Sequence, residues 1–447
     1  MPIRALVAFG IVLGSGLLFV PGPGYCTGPQ EAASADDRIV TEEKSIFSLT
    51  LEQALNRSLQ GNTELKSHSH EVQAVEYEID QAGRYINPEL SLEVENFAGS
   101  GDFSGTGSAE ISVVLSQKIE LGGKRHQRIS LSEQDKGIAE QAFIAARVEL
   151  LSRTKRLFVA VLASQKRLAL ADDQAKLADR VLNTVKDRID SGKAPELERL
   201  RFESLLLETK LREQQARQEL VAARNALAVT WGQDEADFEW AQGDIEQLPG
   251  FPNRLELMAL VDRSPGMAVQ QAVSTRAGQY VSLAEISGIP DLTVSLGGKS
   301  FEETDDYAFV AGFSIDLPLF DRNQGGVGAA KARYARKQAD LRAKRLQLQT
   351  EVGNIWKTLQ STYAEATLLK EQLLPTLQRS FEAISYGYQA GKYGYLDVLD
   401  AEQTLFATRN RYVDSLQEYH QALTELERLL GQTFTKNGTE ALASNDQ

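Results

Sequence analysis

His68 and His70 lie two residues apart, a spacing that turns their imidazoles to different faces of a helix and makes no chelating pair. His126 and His420 are isolated, there are three methionines, and the single cysteine, Cys26, lies near the N-terminus. With so few soft ligands, none of them grouped, the spacing points to no metal centre. One cysteine permits no intrachain disulfide. Gly326-Val327-Gly328 resembles the start of a phosphate-cradling turn, but it lacks the third glycine and the βαβ unit that would use it. No nucleophile–base pair, P-loop or zinc-protease motif is present. The expectation is a chain with no catalytic residues, no cofactor and no bound metal. A net charge of -14 with no basic stripe standing out argues against a nucleic-acid partner.

The residues that do recur at a meaningful spacing are glycines. Ser191-Gly192-Lys193 returns as Ala390-Gly391-Lys392, an offset of 391 − 192 = 199, and Trp231-Gly232 returns as Leu430-Gly431, an offset of 431 − 232 = 199. Ile86-Asn87-Pro88-Glu89-Leu90-Ser91-Leu92 returns as Gly288-Ile289-Pro290-Asp291-Leu292-Thr293-Val294. Three landmarks in one order indicate a duplication. Each half reads helix, strand, strand, long helix, turn, helix, and the glycines stand where the long helices reverse. Around those turns Leu396, Val398 and Leu399 are either apolar anchors for a partner or the first turn of a coiled-coil seam, and Lys193, Leu197, Leu200 and Lys392 stand at the same tips.

The helices carry that seam openly. Leu157, Val161, Ser164, Leu168, Ala171, Ala175, Ala178, Leu182, Val185 and Ile189 step by four and three, as do Tyr412, Leu416, Tyr419, Leu423, Leu426 and Leu430. Gln324 to Ala390 has no strong stop except Pro375, where a kink is expected, and spans roughly 100 Å at helical rise. Ala139, Ala142, Ala145 and Ala146, and Ala329, Ala330, Ala332 and Ala335, suggest close helix approach near the start of each long helix. Helices of this length belong to a bundle or a tube.

Four segments alternate at period two. Leu90, Leu92 and Val94 alternate with Ser91, Glu93 and Glu95; Ile111, Val113 and Leu115 with Ser112, Val114 and Ser116; Leu292, Val294 and Leu296 with Thr293, Ser295 and Gly297. Tyr307, Phe309, Ala311, Phe313 and Ile315 alternate with Ala308, Val310, Gly312 and Ser314. Each segment therefore has one apolar and one largely polar face, with Tyr307, Phe309, Phe313 and Ile315 expected to meet lipid. The polar segments Ala98 to Gly107 and Lys299 to Asp306 read as outward loops. Half-buried hairpins covering a soluble core would show the same alternation, but helices this long form no such core. Four strands cannot close a barrel, for which about eight are the minimum, so a spanning reading requires several copies.

Arg4 and the apolar run Ala5 to Val20 read as an export signal, with Ala33-Ser34-Ala35 as a cleavage site. Cys26 is then removed with the signal or, in a lipoprotein, acylated. The expected organisation is a signal at 1–35, a linker at 36–48, a first repeat at 49–232 with strands near 89–97 and 108–119, a linker at 233–254, a second repeat at 255–434 with strands near 290–299 and 306–318, and a tail at 435–447.

Tyr388-Gln389-Ala390-Gly391-Lys392-Tyr393-Gly394-Tyr395-Leu396-Asp397-Val398-Leu399-Asp400-Ala401-Glu402 resembles the second periplasmic helix–turn–helix tip of the TolC-like outer-membrane efflux family. Ser191 to Leu200 is a more divergent first copy. Glu120-Leu121-Gly122-Gly123-Lys124-Arg125 and Leu317-Pro318-Leu319-Phe320-Asp321-Arg322-Asn323 resemble its strand-to-helix corners. The likeness runs from about Leu49 to Phe434 and is greatest to the heavy-metal cation branch. It implies a mostly α fold with a β-barrel part: a homotrimer with a twelve-stranded outer-membrane barrel, an equatorial belt and a long α-helical periplasmic tunnel. It further implies tips at Gly192 and Gly391 docked on a periplasmic adaptor that joins an inner-membrane pump. Glu382, nine residues before Gly391, stands where relatives carry an acid near the tunnel mouth; it is either such a constriction or a solvated glutamate. The rival readings are a duct for drugs or other small molecules, a periplasmic adaptor, a fibrous coiled coil and, more distantly, a periplasmic hydrolase. An adaptor would carry one hairpin without duplicated strands, and a fibrous coil would have no strands at all.

Overall fold

The computed structural model describes residues 48–435 and 438–441. The expected export signal, Cys26 and nearly all of the linker at 36–48 lie outside the described residues. The chain enters at β1 (Ser48–Thr50), and Thr50 starts α1 (Leu51–Gly61) by a reciprocal cap, its Oγ1 accepting from the Gln53 backbone while Gln53 Oε1 accepts from the Thr50 backbone. Then follow α2 (Thr63–Ala82), β2 (Glu89–Glu95), β3 (Glu110–Ile119), α3 (Lys124–Asp190) and α4 (Glu196–Ala228). After β4 (Trp240–Gln242) and α5 (Arg254–Leu260) the pattern repeats as α6 (Pro265–Ile286), β5 (Leu292–Phe301), β6 (Asp306–Ile315), α7 (Gln324–Leu368), α8 (Leu374–Gln389) and α9 (Tyr395–Leu430). A hairpin of β7 (Gln432–Thr435) and β8 (Gly438–Ala441) follows.

Most of the seam positions are buried, while Leu157, Leu168, Ala171 and Ile189 are half-buried and Phe158, Val159 and Ala163 beside the seam are buried too. Val161, Ser164, Ala175, Ala178, Leu182 and Val185 are buried along α3, and Tyr412, Leu416, Tyr419, Leu423, Leu426 and Leu430 along α9. At 67 residues, α3 is about 100 Å long. Just before Pro375, where a kink is expected, the helical run from Gln324 to Gln389 changes type. Leu369–Leu373 form a π-helical turn and Pro375 stands in the first turn of α8. A proline has no N–H to give the carbonyl four residues back, and widening the preceding turn lets the helix run on.

The strands form one antiparallel sheet in the order β2-β3-β5-β6. The central pairing joins the two repeats, with Ile119 opposite Leu292 and Glu110 opposite Phe301. β5 runs on to Phe301, so Lys299, expected in a loop, is in the ladder and the turn is only Glu302–Asp305. The reason is electrostatic: the Lys299 ammonium pairs with Glu110 on the adjacent β3 and with Glu95 on β2, two strands away, at 3.0 Å. At mid-length the short elements build a compact belt, with β1 parallel to β4 and Leu49, Phe158, Leu227, Trp231 and Phe238 packed beneath them.

Candidate functional site

Residues opposite one another in an antiparallel ladder share a face, so the register decides what each side of the sheet presents. Leu90, Leu115, Leu296 and Ala311 stand in one row, and Leu92, Val113, Gly298 and Phe309 in the next. Phe313 opposes Val294, and Ile315 opposes Leu292. This face is almost wholly apolar and lies bare: Phe309 is 100% exposed, and Tyr307 and Phe313 are 82% exposed. The opposite face carries Ser91, Glu93, Ser112, Ser116, Thr293, Ser295, Lys299 and Ser314. Both outer strands, β2 and β6, have one unpaired edge. Apolar surface on this scale is not left in water, and a sheet edge in lipid must be paired.

A glycine corner leads from β3 into the long helix α3, and Asn323, with φ of +60°, takes the same left-handed place before α7. Gly122 and Gly123 have φ of +70° and +77°, and a side chain on Gly122 would strike Ile289. Asp291, at the foot of β5, holds this corner from the other repeat: its Oδ1 accepts from Lys124 Nζ at 2.7 Å and from the Leu121 backbone at 3.3 Å. The spacing gave no sign of that role, because the partners are 167 and 170 residues apart.

At the far end the two helical hairpins turn in the same way. Gly192 N–H donates to Ile189 O and Lys193 N–H to Arg188 O, each at 2.8 Å; Gly391 N–H donates to Tyr388 O at 3.0 Å and Lys392 N–H to Gly387 O at 2.8 Å. Both glycines are left-handed, with φ of +70° and +76°. This is the Schellman closure, which puts a glycine one residue past the helix end. Leu197, Leu200 and Leu396 are more than half exposed around the turns, and Lys193 and Lys392 are exposed. Val398 is not part of that surface. It is 2% exposed, packed with Ala178, Leu182, Phe202, Phe381 and Leu405, and Leu399 is half-buried against the same cluster. A helix that must also pack on three others turns every fourth residue inward, so Val398 belongs to the seam. The two hairpins are tied here by Tyr388, whose Oη donates to Glu198 Oε2 at 2.8 Å while the Arg188 guanidinium lies 4.4 Å over its ring and donates to its carbonyl.

The model of the family described as outer membrane efflux protein matches residues 54–233 and 258–432. The chain belongs to this family. The cobalt-zinc-cadmium resistance protein CzcC of Cupriavidus metallidurans is 34% identical over 385 residues, which is 86% of this chain and 90% of that one. Two solved structures carry the same fold at low identity. A structure of CusC matches at a TM-score of 0.73 and 20% identity, over 85% of this chain and 92% of that one. The outer membrane protein VceC of Vibrio cholerae matches at 0.71 and 19%, over 86% and 96%.

In this outer membrane efflux protein, no helix among the described residues is long and apolar enough to cross a membrane. Glu382 is exposed on α8, where its Oε1 accepts from Gln378 Nε2 at 2.7 Å, and Gln378 Oε1 accepts from Arg409 on α9 at 2.8 Å. His70 Nδ1 faces Gln73, and His420 is half-buried with Nε2 2.9 Å from Ile245 O. Among the described residues no three His, Cys, Asp or Glu side chains converge as metal ligands.

The efflux protein also buries a carboxyl that the sequence reading missed. Glu402 is 3% exposed between α9 and α3, where its Oε1 accepts from Gln174 Nε2 at 3.2 Å. Burial holds its pKa above the ordinary glutamate value, and the Gln174 hydrogen bond opposes that only in part. The folded state therefore keeps the proton longer than the unfolded chain does. Its stability is greatest below the ordinary glutamate pKa and falls as pH rises through the elevated one. Glu402→Gln is expected to raise the apparent Tm at neutral pH, with the gain shrinking in acid. Thermal unfolding in detergent at both pH values checks this; a Tm difference that does not change with pH would contradict it.

Proposed function

We propose that this protein is the outer-membrane exit duct of a tripartite efflux pump for divalent heavy-metal cations, working as a homotrimer. Three copies of the four-stranded sheet make a twelve-stranded barrel, its apolar face toward lipid and its Ser, Thr and Glu face toward water. The helices continue the barrel as a periplasmic tunnel, and the tips at Gly192 and Gly391 seat on a periplasmic adaptor joined to an inner-membrane pump. The duct carries out no reaction. The observation that carries this reading is the sheet itself: one bare apolar face and two open edges, set on helices about 100 Å long. The heavy-metal cargo is supported by the name of the Cupriavidus relative.

Glu382 fits a cation constriction, since three carboxylates brought together at a narrow tunnel mouth attract cations and repel one another. Mass measurement of the detergent-solubilised protein is expected to give three copies. Deleting the gene from its host is expected to sensitise cells to cobalt, zinc and cadmium and not to organic drugs. A stable monomer with intact strands would remove the barrel reading. Sensitivity to drugs alone would replace the cargo.

A further inference from the structure

Each protomer's wall has two free sides, and they carry opposite charge. Below the sheet four helices pack in the order α2–α3–α6–α7. α2 leads into the edge strand β2, and α7 follows the edge strand β6. The free helix on each side thus belongs to the free strand on that side. One level can be followed across the wall by contact. Glu76 on α2 pairs with Lys136 on α3 at 2.8 Å, Asp135 on α3 pairs with Arg276 on α6 at 2.7 Å, and Gly278 on α6 lies against the Tyr334 ring on α7.

α2 holds five acids and one lysine. It buries Leu65 and Val75, and its exposed surface carries Tyr77, 75% exposed, with Glu71, Glu78 and Asp80. α7 is the reverse. Residues 331–345 contain seven lysines and arginines and one acid, a basic stripe that the chain's net charge of -14 conceals. Lys331, Lys337 and Arg345 are paired within the protomer, with Glu285, Asp340 and Asp262. Arg333, Arg336 and Arg342 are exposed and make no ion pair among the described residues. α7 turns Ala330 and Leu348 inward. The opposite face exposes Ala332, Ala335, Ala339 and Ala343, a shallow channel with Arg336 and Arg342 on its two sides.

We propose that the acidic α2 side of one copy seats on the basic α7 side of the next. Tyr77 lies in the alanine channel, and Arg333, Arg336 and Arg342 meet Glu71, Glu78 and Asp80. The wall then closes through an ionic seam below the membrane as well as through strand pairing within it. Unlike sides meeting head to tail generate a ring, whereas a two-fold dimer would set α2 on α2 or α7 on α7. Those pairings bring like charges together and are opposed electrostatically. The edge charges thus select cyclic closure and set its register. This inference rests on the homotrimer reading and names the contact that builds it.

Two measurements test it. A benzoyl-phenylalanine photo-cross-linker placed at Tyr77 is expected to join two copies, with the cross-linked peptide falling in residues 331–345. Charge reversal on one side only, as Glu71→Arg with Glu78→Arg and Asp80→Arg, or as Arg333→Glu with Arg336→Glu and Arg342→Glu, is expected to lose the trimer in detergent. The six substitutions together are expected to restore it, which separates a seam from a folding defect. If the natural chain is a trimer yet Tyr77 cross-links elsewhere or not at all, or neither one-sided reversal weakens assembly, or the combined chain does not recover, the seam is wrong and the duct reading stands. If the natural chain is not a trimer, both fail.

Discussion

Phe313→Arg is expected to prevent barrel assembly, while Ser314→Arg, one residue along the same strand, is tolerated. The two positions differ only in face. Phe313 stands opposite Val294 on the bare apolar side, and Ser314 stands opposite Thr293 on the polar side. A cation moved into hydrocarbon costs about 2–4 kcal/mol near the bilayer midplane and less toward the interfaces. A trimer incurs that cost in each copy, a total comparable with the whole stability of an ordinary domain. On the polar side an arginine remains hydrated in the lumen. The measurement is the amount of heat-resistant oligomer in isolated outer membranes. Equal loss from both variants would mean that the faces are assigned wrongly, and loss from Ser314→Arg alone would mean that they are reversed.

The second large effect is expected at the tip. Gly391→Pro forces φ from +76° to about -65° and removes the N–H that closes the helix on Tyr388 O. The turn cannot keep its Schellman geometry, so export is expected to fall to the level of a deletion strain while the trimer stays in the membrane. The paired exchange Leu197→Asp with Leu396→Asp leaves the turns intact and tests the surface alone, since both leucines are more than half exposed. It is expected to abolish cross-linking to the adaptor and to sensitise cells to the cargo. Val398→Asp is the contrast. It places a carboxylate among Phe202, Phe381 and Leu405 and is expected to destabilise the hairpin itself. Normal export from the paired leucine variant, with normal membrane levels, would leave Leu197 and Leu396 as the start of a structural seam.

The sequence by itself determined whatever depends on neighbours a few residues apart. Alternation at Tyr307, Phe309, Phe313 and Ile315 is enough to make a strand with two unlike faces, because side chains in a strand must point to opposite sides. Steps of four and three from Val161 to Val185 make a packed helix, because only that spacing keeps one face inward. A glycine at 192 and again at 391 marks a reversal, because few other residues adopt positive φ. The tertiary structure decided what depends on residues brought together from far away. Pairing of β3 with β5 joins Ile119 to Leu292 across the repeats, and no local pattern specifies which strand edge meets which. Asp291 at the first corner and Glu198 beneath Tyr388 have partners 167 and 190 residues distant. Val398 and Leu396 look alike in sequence, yet one is buried and the other bare, because the choice is made by the helices that pack around α9 and not by the residues beside them. The opposite charges of α2 and α7 are written in the chain, but only the order of the four helices puts them on the two free sides of one wall.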